Sequence, residues 1–481
     1  MIFPLATKSA YGIDASNSRE SVHNCYVEIN EAESETEVSI RFREGLHRHE
    51  EVVTSPYSFI AAKLGMRGKT YVAVTKDSLN VYMLSNGRLS TSYKFNPPLE
   101  NSFLGAGAVA EVRDGHYVVA NLGKLVYVDN IWGSKYTESF LEGSSSVAML
   151  RGYLVVAVGE KLYVSDFQEP KVFRPLSYLH VGFITLSMVE FNDQLWVFSA
   201  DGIQVYTLSG GTVVPLAPVV GSHYEYDIKE PHPVVQDEKL FFIDAHYNIY
   251  QVQGYSFVRI TPPGIKKLIS REGGLKPQIS APRLFVDRIP HRNFPSLCVT
   301  YNSGAGLACM NLDNGLWRTE SFNGTVEGDD LPGASSEVEE GKVVKIRQVI
   351  TGVANALIMT DGTYRRSNQY VNDDGRPIRY RLESPQFHRE RALTQIRMIG
   401  FNFGATHGVG LPYPVSIRMR VHKASRQSAI ERTFIANNSE DQRNRQYNLG
   451  SSRSMSVELD VDTEGVGIPI GGLVLSGAEV E

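Results

Sequence analysis

A strand hairpin recurs along this chain, and its recurrence limits the possible folds more than any single motif. Five segments repeat one pattern: an apolar run, a short turn, then alternating residues ending on an apolar–Tyr pair. The runs Tyr71–Val74, Tyr117–Ala120, Leu154–Ala157, Leu195–Phe198 and Leu240–Ile243 lead to Tyr82, Tyr127, Tyr163, Tyr206 and Tyr250. These tyrosines lie 45, 36, 43 and 44 residues apart. Weaker copies follow from Leu297 to Met310 and from Ala356 to Tyr364. A β-type period of about 40–50 residues marks a propeller, in which each unit is one small sheet packed on its neighbours. The fold class predicted is all-β: a propeller of six or seven blades over residues 50–377, with a C-terminal antiparallel β-sandwich over 378–481. The repeat tyrosines are expected to pack blades together, with a ligand cage as the other reading.

Turn chemistry agrees with the repeat. Asn86-Gly87, Asp114-Gly115, Asp201-Gly202, Asn314-Gly315 and Asp361-Gly362 punctuate it, and such pairs tolerate the positive φ of tight hairpins. One short helix is predicted over Pro263–Ile269, with Pro at its start and apolar residues at helical spacing. Residues 1–49 are read as an N-terminal arm and closing strand. Val38–Phe42 alternates and is expected to close the ring against the last blade, and the arm is expected either to wrap a neighbouring subunit or to hang free. In the C-terminal part, Val415–Val421 and Met455–Val461 alternate strictly, as half-buried strands of a sandwich do. Arg389, Arg391, Lys423, Arg426, Arg443, Arg445 and Arg453 form either a patch for a partner or ordinary exposed faces.

Charge and composition exclude several classes. The chain of 481 residues has a net charge of −5 and an isoelectric point near 6.2, unlike proteins that grip nucleic acid through phosphates. That balance still suits a wall past which DNA slides. Three cysteines, Cys25, Cys298 and Cys309, are too few for a disulfide scaffold. Cys298 and Cys309 can face each other across a hairpin, and the simpler expectation is that all three are reduced. The N-terminus lacks the pattern of a signal peptide, and no apolar run reaches the roughly 18 residues of a membrane span.

The search for chemistry returns no site. Nucleophile-elbow, Walker and zinc-helix motifs are missing, and His47-Arg48-His49-Glu50 lacks the i, i+4 histidine spacing a zinc helix needs. Glycines near 105–107 and 404–410 read as turns. Asp166, Asp201, Asp244 and Asp361 lie near hairpin ends, where a glycosidase would need two carboxylates converging on a pocket; aspartate at a turn more commonly serves the backbone. The acidic residues of 325–341 stand in a Gly-, Pro- and Ser-rich surface loop whose spacing does not fit a calcium loop. No catalytic, cofactor-binding or metal residue is assigned. No Trp-Asp or kelch signature is present, which counts against the common scaffolding propellers.

Short stretches along the chain share their order with one family. Gly202–Gly210 follows an apolar strand, with Gln204 where the family carries Glu. Phe257–Thr261 precedes the predicted helix, Leu307–Asn311 precedes Trp317, and Leu473–Glu481 ends the chain. Asn24–Glu28 is followed by Arg43–Leu46, with Val27 and Glu44 where Pro is usual. This collinear set resembles the packaged-DNA stabilisation, or tail hub and nozzle, proteins of short-tailed bacteriophages. The resemblance implies a non-enzymatic virion protein, made in the host cytoplasm, that forms a homo-oligomeric ring, a hexamer, below the portal and adaptor. It implies contacts with the adaptor ring and with tail fibre, spike or needle proteins, and passage of genomic DNA through the lumen without specific binding. The alternative reading is a carbohydrate-binding or glycosidase propeller serving as a receptor-binding module.

Overall fold

The apolar runs are second strands of small sheets, and the repeat tyrosines stand on third strands. The structure, a computed structural model, describes residues 138–218, 233–270 and 306–321 without interruption, and elsewhere the strands named here with short flanking segments. Six four-stranded antiparallel units and a seventh of three strands follow one another among the described residues: blades 1 to 7 at 59–94, 108–135, 144–180, 185–218, 234–259, 284–321 and 346–367. Tyr82, Tyr127, Tyr163, Tyr206 and Tyr250 each fall on the third strand of a different blade, as do Met310 and Tyr364 of the weaker copies. The first strand of every blade touches the first strand of the next. That of blade 7, Ile346–Ile350, touches that of blade 1, Phe59–Leu64, so the ring of seven closes. This is a β-propeller with its first strands around the axis.

The runs are continuously apolar because both faces of a blade are buried. On the second strand of blade 3, Leu154 and Val156 join the core shared with blade 2, while Val155 and Ala157 join the core shared with blade 4. Blade 4 repeats this: Leu195 and Val197 face blade 3, and Trp196 and Phe198 face blade 5. In blade 5, Leu240 and Phe242 face blade 4, and Phe241 and Ile243 face blade 6. Tyr163, Tyr206 and Tyr250 all face the preceding blade. Tyr127 lies opposite Val118 and faces the following blade, with Lys171 Nζ 4.0 Å from its ring centroid. The predicted helix is present as Pro263–Ser270. It sinks Ile265, Leu268 and Ile269 between blades 5 and 6.

Blade 7 supplies only three strands from its own stretch; the fourth comes from the N-terminus. That strand is Gly45–Arg48, antiparallel to Gly362–Ser367, and not the expected Val38–Phe42. Val38–Phe42 pairs instead with Cys25–Ile29 and meets the terminal strand at Ile470. The physical reason is register: closing the ring requires the strand that enters directly beside Asn372–Asp373, not the one that alternates best.

The sandwich is likewise not built from 378–481 alone. One sheet runs Cys25–Ile29, Val38–Phe42, Ile470–Val480, Leu393–Phe403, Tyr447–Ser452, with Ile2–Phe3 beside the terminal strand. The other joins Arg19–His23 to Arg376–Glu383, Ser454–Thr463, Val415–Lys423 and Ile430–Ala436. The chain passes between the two sheets at Asn24, whose φ of 56° turns a corner that L-residues other than Asn and Asp seldom take. The expectation of an arm that wraps a neighbouring subunit or hangs free is corrected for these strands: Arg19–His23, Cys25–Ile29, Val38–Phe42 and Gly45–Arg48 all pair within their own chain.

Candidate functional site

Arg19–His23 lies parallel to Trp317–Ser321, the outer strand of blade 6, through His23 and Thr319, and antiparallel to Arg376–Glu383 of the sandwich. Gly45–Arg48 lies between blade 7 and Asn372–Asp373. The N-terminal segment thus clasps two adjacent blades to the sandwich, and the polar side chains of the clasp are buried.

Arg43 is its centre. Its Nε donates to Asn24 Oδ1 at 2.9 Å, its Nη1 to the Glu44 carbonyl at 2.8 Å and to Asp373 Oδ1 at 2.9 Å. Its Nη2 donates to the Ser321 carbonyl at 2.7 Å and to Asp373 Oδ2. Burial alone would weaken the guanidinium's hold on its proton; the Asp373 carboxylate, through charge and hydrogen bond, outweighs that and raises its pKa. The fork geometry matches a carboxylate in two parallel bonds. Asn24 supplies three further ties: its N–H donates to the Thr319 carbonyl, its carbonyl accepts from Arg43 N–H, and its Oδ1 accepts from Ser321 N–H. His23 bonds Thr319 Oγ1 and Ser321 Oγ, both at 2.9 Å. Beside it Arg318 Nε pairs with Glu320 at 2.9 Å, and its Nη2 reaches Ser296 Oγ at 3.1 Å. A crevice of about 10 Å³ between Val22, Tyr26, Phe294, Trp317 and Arg318 has room for about one water. The clasp holds parts together; its buried and mutually bonded groups offer no open position for a substrate.

The sandwich carries a second charged feature on its open face. Arg381, Asp460 and Arg418 stand opposite one another across three strands, and Glu458 and Arg420 do so two residues along. Arg381 Nε meets Asp460 at 2.9 Å, Arg420 Nη1 meets Glu458 at 3.0 Å, and His422 Nε2 meets Glu458 at 2.9 Å. Desolvation would raise the Glu458 carboxyl, but the hydrogen bond with His422 and the charges of Arg381 and Arg420 prevail and lower it. On the opposite face Met419, Val421, Val457 and Leu459 are buried, so the alternation read from sequence separates core from charge.

Of the three described hairpin aspartates, Asp166 lies at the other end of its blade from Asp201 and Asp244. Asp166 ends the third strand of blade 3, where it pairs with Arg174 at 3.0 Å. Asp201 and Asp244 sit in turns between second and third strands, which is the opposite end of a blade. Asp244 accepts from Asn248 N–H and Nδ2 at 2.7 Å and from Tyr250 OH at 3.2 Å, serving its own turn. His47 and Arg48 belong to the closing strand, opposite Arg365 and Tyr364. Among the described residues no three His, Cys, Asp or Glu side chains gather as a metal site would require. Asp361, His49, Glu50, the acidic stretch 325–341 and the side chains of all seven basic residues named as a patch lie outside the described residues.

Arg43 and Asp373 escaped the search for chemistry, although the family-like segments Asn24–Glu28 and Arg43–Leu46 bracket half the clasp. The partner residues of the ion pair stand 330 positions apart, and no local pattern marks either of them.

Fold and site together define a seven-bladed β-propeller protein with a β-sandwich clasped to it by the N-terminal segment. No protein-family model matches the chain, and no curated protein matches it. Among solved structures, it is similar to "YCF48 bound to D1 peptide", at 11% identity and TM-score 0.42, covering 72% of this chain and 98% of that one. It is also similar to the computationally designed Ika8 protein, at 11% identity and TM-score 0.40, covering 67% of this chain and 99% of that one. Among the described residues no helix is long and apolar enough to cross a membrane.

Proposed function

We propose that this protein is a structural component of a short phage tail. In this reading it forms the nozzle or hub ring, a homohexamer below the portal and adaptor, that retains packaged DNA and serves as its exit channel. It sits in the virion, touches the adaptor ring above and fibre, spike or needle proteins beside it, and catalyses nothing. The observation that carries the reading is the collinear set of family-like segments, from Asn24–Glu28 to the terminal strand. Two structural features are in keeping with it. The clasp fixes propeller and sandwich with buried bonds, as a part that bears load requires. The net charge of −5 suits a lumen that does not hold DNA, since each phosphate neutralised by a basic side chain would add affinity and salt dependence.

The test is the native assembly. Native mass measurement and imaging of the purified chain should show closed cyclic rings with an axial hole, six copies each. The same preparation should show no salt-sensitive binding of duplex DNA near physiological ionic strength. A monomer that binds glycans would overturn the proposal in favour of the receptor-binding reading, and tight DNA binding would remove the lumen argument.

A further inference from the structure

Blade 6 holds two cysteines in a geometry that the rest of the fold does not need. Cys298 stands on its second strand, Ser296–Tyr301, and Cys309 on its third, Gly306–Asn311, as direct cross-strand partners. Their Sγ atoms lie 2.8 Å apart. A disulfide is about 2.05 Å long, so bonding needs a closure of less than about 1 Å and no change of register. Both residues are fully buried. Phe285 lies opposite Cys298 on the inner side, and Arg318 opposite Cys309 on the outer side. The third cysteine, Cys25, is buried on a strand of the sandwich, beside the clasp.

We propose that Cys298 and Cys309 are an oxidation site, forming a cross-strand disulfide that staples the central hairpin of blade 6. The co-reactant is a low-molecular-weight disulfide. One cysteine thiolate attacks it and displaces a small thiol, giving a mixed disulfide on the protein. The second thiolate then attacks the protein sulfur of that mixed disulfide, displacing the other small thiol. The two cysteines lose two electrons and two protons in all, and the small disulfide is reduced to two thiols.

Burial decides when this happens. In the closed blade, desolvation first, and then the hydrogen bond and charge of Cys309, push the Cys298 thiol well up, so little thiolate exists there. A mixed disulfide has no room between Phe285 and Arg318. The exchange therefore belongs to the forming or locally opened hairpin, and a closed blade shields the product from reductant. The hairpin carries Trp317–Ser321, the strand on which His23 and Asn24 dock, so the staple lies one strand away from the clasp.

Refolding tests this on the full-length chain. Residues 293–318 form one tryptic peptide holding both cysteines, because no Lys or Arg lies between Arg292 and Arg318. Reduced protein is refolded from urea in oxidised and reduced glutathione, alkylated in denaturant and digested. The peptide should be about 2 Da lighter than its reduced form and carry no alkyl group, while Cys25 is alkylated. Dithiothreitol should leave the bond intact in the native protein and cleave it once urea is added. Cys25→Ser should keep the lighter peptide, and Cys298→Ala should abolish it and leave Cys309 alkylated. Natively folded protein with both cysteines alkylated would overturn the proposal. So would a bond from either of them to Cys25, or equal reduction in native and unfolded protein.

Discussion

Arg43 and Asp373 stand 330 residues apart in sequence and meet as a buried, two-pronged ion pair. Arg43 directly precedes the closing strand of the propeller, and Asp373 lies beside that strand, opposite Leu46. A buried pair is weak evidence of net stabilisation, because both ions lose water. Its meaning is specificity: the guanidinium is satisfied only when Asn24, Ser321, Glu44 and Asp373 are all in place. Removing one partner should therefore hurt far more than the pair is worth. Asp373→Ala and Arg43→Ala are each expected to cost about 3–5 kcal/mol. Urea unfolding checks the loss. A double replacement by apolar residues should be milder than either single change.

How much of this was legible in the sequence follows from distance along the chain. The blades were readable because each is a local hairpin stack whose second strand is buried on both faces, leaving runs such as Leu154–Ala157 and Leu240–Ile243. The faces of the sandwich strands were readable from the alternation of Val415–Val421. The closing strand was not, because Gly45–Arg48 has four residues and includes His47 and Arg48, so it reads as a polar turn. The merging of the N-terminal strands Ile2–Phe3, Arg19–His23, Cys25–Ile29 and Val38–Phe42 into the sandwich was not legible either: the pairing of Ile2 with Val474 leaves no trace in local pattern. The clasp combines both problems, its charged residues looking like solvated ones until the partner strand is known.

Phe242 tests the packing of the repeat. It is buried between blades 4 and 5, with ring centroids of Phe198, Tyr250 and Phe257 at 5.4, 5.2 and 4.9 Å. Phe242→Ala should cost about 3–5 kcal/mol and lower the thermal midpoint. Tyr255→Ala, at an exposed ring, should cost much less.

Tyr206 is the repeat tyrosine with a side-chain partner two residues away. Its OH donates to Gln204 Oε1 at 2.5 Å, and burial raises its pKa to about 12. The folded value exceeds the unfolded one of about 10, so the protonated phenol contributes stability in full below pH ~10. That contribution is lost as pH rises through about 12. Ultraviolet titration of tyrosinate should lose one phenol near pH 12 in Tyr206→Phe, while the later phenols of Tyr136 and Tyr380, which burial raises further, remain. An unchanged phase near pH 12 in that variant would assign it elsewhere.

Glu458 makes the opposite prediction on the acid side. Its folded pKa is lowered, because His422, Arg381 and Arg420 together outweigh desolvation. Its contribution is therefore present above the unfolded value of about 4.3 and is lost as pH falls through the folded one. Glu458→Gln should remove this part of the acid dependence. It should leave the alkaline limb unchanged, and stability as a function of pH for the two proteins reads the difference.

The closing strand gives the last test, because it separates ring closure from the rest of the fold. Leu46 is buried within Gly45–Arg48, opposite Arg366 on blade 7. Leu46→Asp would put a carboxylate where a buried leucine stands, and the strand would leave rather than pay desolvation. Blade 7 would then keep three strands, and the contact between Ile346–Ile350 and Phe59–Leu64 would lose its support. Hydrogen exchange should rise first in Ala356–Met359 and Gly362–Ser367, which depend on the closing strand. The second strands of blades 3 to 5, buried on both faces by their own neighbours, should stay protected. If exchange instead rises uniformly through all blades, the ring is one cooperative unit and the N-terminal strand is part of its nucleus. If it does not rise in blade 7, closure does not depend on Gly45–Arg48, and the strand serves only to hold the sandwich.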